Sequence, residues 1–146
     1  MDDAKIDKHH NNKLELNALR DFMSEAVPYW KTLGLELIEV ARGHAVFEAE
    51  VRPGLLQNNV VHGGVLASIA DSACAVAAIS HLFPENYATT INLQVAYLKP
   101  LKAGRFRATG KCLKAGRSIF FCESRVVDEN NALICTASSQ LIAVPR

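Results

Sequence analysis

The chain has 146 residues, with 16 basic against 15 acidic side chains, a net charge of +1 and 49% hydrophobic residues. That length suits one domain with a core of its own, and so even a balance of charge gives no global field for nucleic acid or a membrane surface. No apolar run of about 18 residues and no charged-then-apolar leader is present, so neither a membrane span nor a secretory signal is expected.

Residues 1–13, including His9-His10-Asn11-Asn12, are polar and read as a flexible leader, with 14–146 as a single domain. From Leu14 to Trp30 apolar residues recur at Leu16, Leu19, Phe22, Met23 and Val27, which is helical spacing; Pro28 closes or kinks that helix. Leu35–Ala41 and His44–Val51 form a hairpin around Arg42-Gly43, with Ala45, Phe47, Ala49 and Val51 alternating onto one face. A long helix follows from Gly64 to about Leu82, ended by Phe83-Pro84-Glu85-Asn86. Four more strands are expected at Ala88–Leu98, Arg105–Leu113, Ser118–Val127 and Leu133–Val144. The order predicts an α+β fold with an antiparallel sheet, and the small residues of the central helix let a curved sheet close around it. Cys74, Cys112, Cys122 and Cys135 have no ligand-like spacing and read as reduced thiols, as in a cytoplasmic protein; no metal or bound cofactor is required.

The chemistry-bearing segment is His62-Gly63-Gly64, followed by the apolar run 65–70 and then Asp71. Glycines at a helix start leave bare N–H groups and the positive end of the dipole open to developing negative charge. A carboxylate in an apolar stretch must be hydrogen-bonded, paired or functional. Together they are the minimum equipment for hydrolysing an activated acyl group.

The chain resembles the hotdog-fold acyl-CoA thioesterases, most closely the phenylacetate-degradation type, over roughly residues 30 to 144. The resemblance rests on His62-Gly63-Gly64, on Asp71 nine positions after His62, on the strand 90–100 ending in Tyr97-Leu98-Lys99-Pro100, and on Lys114-Ala115-Gly116-Arg117-Ser118. It departs from the family at two positions. The family's Asn six before the histidine is Leu56 here, with Gln57 and Asn58 beside it able to supply an amide, and its Gly three before the histidine is Asn59. Asn is the non-glycine residue best suited to a left-handed backbone.

The resemblance implies hydrolysis of an acyl-CoA thioester, with Asp71 as general base or nucleophile and the Gly63 N–H polarising the carbonyl. It implies Thr90 near the attacking water and His62 orienting the glycine loop or touching the thioester. Arg117 with Gly116 and Ser118, amid Lys99, Lys102, Lys111 and Lys114, suits the phosphates of coenzyme A. Gln57, Asn58, Asn59 and Gly64 complete the candidate substrate contacts. An acyl tunnel is expected from Leu55, Leu56, Val60, Ile79 and Leu82, with Phe22 or Trp30. Tyr97 reads as packing, and Cys74 as core. The competing functions are a non-catalytic acyl-CoA sensing module and a hotdog hydratase or dehydratase.

Gly63 and Asp71 are eight residues apart, about 12 Å along a straight helix. One thioester cannot reach both on a single helix, so the second must come from another copy. A two-fold dimer with antiparallel central helices brings them together, and pairing of dimers into a tetramer is common among relatives.

Overall fold

The computed structural model describes residues 3–146, with side chains placed at Lys13 and from Glu15 onward. The side chains of residues 1–12, His9 and His10 included, therefore lie outside the described residues.

Helix α1 (Asp3–Ala26) lays Leu19 and Met23 into the core. The helix is broken ahead of Pro28, as expected, with α1 ending at Ala26; after the break at Val27 the proline also opens a second helix, α2 (Pro28–Leu33). The reason is local: proline lacks an N–H that the first turn leaves unbonded anyway, and its fixed φ is already helical. Gly34 ends α2 in the left-handed conformation, φ 71°, and its N–H donates to the Lys31 carbonyl.

Strands β1 (Glu36–Ala41) and β2 (His44–Glu50) form the expected hairpin around Arg42-Gly43, with Gly43 at φ 71°. Ala45, Phe47 and Ala49 are buried, as their alternation predicts, while Val51 is half-buried. A short 3-10 turn (Pro53–Leu55) leads to a two-stranded ribbon, β3 (Leu56–Gln57) and β4 (Val60–Val61). Its two-residue loop is Asn58-Asn59, both left-handed at φ 50° and 63°, the conformation a tight hairpin requires at both central positions.

Helix α3 (Gly63–Ile79) is followed by β5 (Asn86–Tyr97), β6 (Arg105–Ala115), β7 (Ile119–Asp128) and β8 (Leu133–Pro145). The main sheet is antiparallel throughout, in the order β1-β2-β6-β7-β8-β5, and it wraps α3. Ile69, Ala70, Ala73, Cys74, Val76 and Ala77 have no exposed surface. The closest approach is at Gly110 of β6, where a Cβ would stand 2.2 Å from the Ala73 carbonyl oxygen. Only glycine lets the helix backbone sit that close to the strand. All four cysteines are free thiols, and burial pushes the Cys74 thiol up to about 12. No helix among the described residues is long and apolar enough to cross a membrane.

Candidate active site

His62 caps α3. Its Nδ1 accepts the Gly64 N–H at 2.9 Å, so the ring N–H lies on Nε2 and the imidazole holds the glycine turn. A Cβ on Gly64 would meet that ring nitrogen at 3.0 Å. Beside it the Gly63 N–H has no acceptor among the described residues. The Gly63 carbonyl accepts from the Tyr97 hydroxyl at 2.7 Å. The helix start thus presents an unspent donor at the positive end of the dipole, clamped on one side by a histidine and on the other by a tyrosine.

Asp71 lies two turns further along α3, half-buried, and its Oδ1 accepts the Thr90 hydroxyl at 2.8 Å. Burial pushes this carboxyl above the ordinary carboxylate range, and the Thr90 bond opposes that rise. Thr90 sits on β5 where the ladder is irregular, between Thr90 and Asn92.

A cleft of about 660 Å³ opens beside Asp71. Its floor is the α3 face bearing Ser68, Asp71, Ser72, Ala75 and Ile79; Phe22, Met23, Tyr29 and Trp30 form one wall and residues 86–90 of β5 the other. Small residues on the helix leave this volume open. Two serines one turn apart hold α2 against it. The Ser68 hydroxyl donates to the Gly64 carbonyl and lies 2.9 Å from the Tyr29 hydroxyl, while the Ser72 hydroxyl takes the Trp30 indole N–H at 2.9 Å. Trp30 meets Phe47 edge-on at 4.8 Å, which carries the wall into the core.

Gly63 does not line that cleft. It faces a separate hollow with Val60, Val61, Leu66 and the segment 97–101. Of the expected tunnel residues, Phe22, Trp30 and Ile79 line the cleft. Leu55, Leu56 and Val60 do not, because they precede the helix start while the cleft runs beside its middle; Leu82 packs on the core instead. Gln57, Asn58 and Asn59 are exposed on the β3–β4 ribbon, and Arg117 and Ser118 are exposed at the β6–β7 turn, neither group beside Asp71 in one chain. Lys102, Lys111 and Lys114 are likewise exposed, and Lys99 pairs with Asp128 at 3.7 Å.

Sequence reasoning missed four contributors. Tyr97 was expected only to pack, and its hydroxyl partner lies 34 residues away. Ser68 and Ser72 carried a usable signal, the four-residue spacing astride Asp71 that puts them on its face. Arg146 also lines the cleft: its guanidinium lies over Phe22, 4.1 Å from the ring centroid, and 5.8 Å from that of Phe83.

Residues 58–135 match the family model described as the thioesterase superfamily. The chain is 28% identical over 106 residues to 1,4-dihydroxy-2-naphthoyl-CoA hydrolase of Listeria monocytogenes, covering 72% of this chain and 86% of the relative. It is 26% identical over 129 residues to a medium/long-chain acyl-CoA thioesterase of Salmonella typhimurium, covering 77% and 83%. A mutant of the phenylacetic acid degradation protein PaaI from Thermus thermophilus superposes with a TM-score of 0.73 at 30% identity, covering 80% of this chain and 98% of that one. The matched span, just over half of the chain, contains the glycine turn, Asp71, Thr90 and strands β5 to β7, and the chain belongs to the thioesterase superfamily.

Proposed function

We propose that this protein hydrolyses an acyl-CoA thioester to the free acid and CoA, in a dimer where Asp71 of one copy works with Gly63 of the other. The observation that carries this reading is the separation of the two groups: the carboxylate opens into the cleft, and the free N–H opens into a different hollow. Each half is formed and neither is complete. Strand β5 supports the pairing, since it is a sheet edge, with Ile91 and Tyr97 on it and Leu98 just beyond it each more than half exposed. The names of the two relatives above, both hydrolases of CoA esters, support the substrate class.

The thioester carbonyl would accept the Gly63 N–H as negative charge develops on its oxygen. Asp71, its Oδ1 held by Thr90, has Oδ2 left to take a proton from water or to attack the carbonyl carbon itself. Raised above the usual carboxylate range, it is also the stronger base. His62 keeps the donor turn in shape; an amide from Gln57 or Asn58 and the left-handed Asn59 turn would border the thioester; Arg117 and Ser118 would meet the CoA phosphates. Pairing of two such dimers into a tetramer belongs to the same proposal.

Free-thiol release from a panel of acyl-CoA esters tests the reading. Asp71→Asn keeps the size and the Thr90 bond but removes the base, so turnover should fall on the order of a hundredfold or more. Gly63→Pro deletes the N–H, at the helical position that tolerates proline, and should be comparably slow. Gly63→Ala controls for crowding of the half-exposed Tyr97 ring, 3.2 Å from a Cβ there. Mixed dimers of Asp71→Asn with Gly63→Pro should regain activity, because one of their two sites has both intact groups. A mixture as dead as its parents would rule out a shared site.

A further inference from the structure

The cleft beside Asp71 has a direction. Thr90 touches Asp71 at one end, and Asn86 lies four residues back along β5. The β5–β8 ladder pairs Asn86 with Pro145 and Thr90 with Leu141, so Arg146 stands at the Asn86 end, away from the carboxylate. Ile79 and Phe83 mark the same end, and Ile79 is eight residues beyond Asp71, about 12 Å along the helix. Between the two ends the lining is mostly aromatic and aliphatic: Met23, Trp30, Ala75 and Ala88.

Arg146 is exposed, but its guanidinium is held at that end. Its guanidinium rests on Phe22 and beside Phe83, rings that themselves stand 5.9 Å apart, and one Nη1 donates to the Pro84 carbonyl at 3.4 Å. No carboxylate among the described residues pairs with it, and Asp71 is the one acidic side chain that lines the cleft. A planar fork with donors to spare, set on aromatic faces at the far end of an apolar slot, has the geometry that receives a carboxylate.

We propose that Arg146 is a specificity-determining residue, selecting acyl groups that have an apolar body and a distal carboxylate. This rests on the thioesterase reading and adds the substrate class. The acyl chain would run from the thioester at Asp71 along the α3–β5 groove, and its terminal carboxylate would pair with Arg146.

The test compares suberoyl-CoA with octanoyl-CoA, equal in chain length and different only at the far end. The wild-type protein should favour suberoyl-CoA by about tenfold in kcat/KM, Arg146→Ala should erase the preference by a loss falling chiefly on suberoyl-CoA, and Arg146→Lys should restore part of it. Equal turnover of both esters by the wild type would overturn the proposal. So would an equal loss on both in Arg146→Ala, which would place the guanidinium on a CoA phosphate instead. A second readout needs no catalysis. Trp30 is the single tryptophan and lines the cleft, so its fluorescence reports binding of free suberate against octanoate. Arg146-dependent suberate binding without thiol release would sink the hydrolase reading and keep this one; thiol release without any Arg146-dependent discrimination would do the reverse.

Discussion

The two flanks of α3 are built from similar small residues and serve opposite ends. On the sheet side Ala73 meets Gly110 so closely that no Cβ fits between them, and Ile69, Val76 and Ala77 are sealed. On the other side Ala75 and the two serines leave space, because α1 and α2 stand off on the longer side chains of Phe22, Tyr29 and Trp30. Small residues bring backbones together only where the opposing surface is also small. Where it is large they make a cleft, and a carboxylate can be half-desolvated there without being stranded.

The sealed flank is the more sensitive to change. Gly110→Ala must push the α3 backbone away from β6 and should cost about 3 kcal/mol, read from chemical denaturation. A cost below about 1 kcal/mol would mean that the contact at Ala73 does not set the helix position. On the open flank, Thr90→Val removes the hydroxyl that steadies Asp71 and should lower kcat about tenfold. It also removes the one interaction that lowers the Asp71 pKa, so the acid limb of the pH–rate profile should move to higher pH, with Thr90→Ser restoring both. An unmoved limb would make Thr90 an ordinary strand residue.

The smallest effect is on stability. The Asp71 carboxyl titrates above its unfolded value, so the folded state holds its proton more tightly. Stability is therefore lost as the pH rises through the window between the unfolded and the raised folded pKa, and at neutral pH the charged Asp71 is a net cost. Asp71→Asn should raise the melting temperature by a few degrees at neutral pH and leave it unchanged below both pKa values. A fall at neutral pH would contradict the desolvation argument.

Much of this architecture was legible residue by residue. The β1–β2 hairpin followed from the alternation around Arg42-Gly43, and the left-handed Asn59 from the residue type that replaces a glycine. The helix start at His62-Gly63-Gly64 differs by one residue from its expected position. The break ahead of Pro28 was legible but the start of α2 was not, because proline both ends and begins helices, and the sequence around it does not distinguish the two. Which surface covers the residues before α3 was not legible for a related reason. Their hydrophobicity says that they are covered, not by which surface.

What the sequence determined on its own is what depends on neighbours along the chain: the periodicity that makes the helices and strands, the glycines that free an N–H, and the odd carboxylate in an apolar run. What only the tertiary structure decided is what depends on residues far apart in sequence meeting in space. Tyr97 reaches the Gly63 carbonyl, Tyr29 and Trp30 dock on Ser68 and Ser72, and Arg146 closes the far end of the cleft against Phe22 and Phe83. Side-chain periodicity is a one-dimensional signal, whereas a hydrogen bond or a stacked cation is fixed by the crossing of elements, which the packing of the sheet around α3 alone sets.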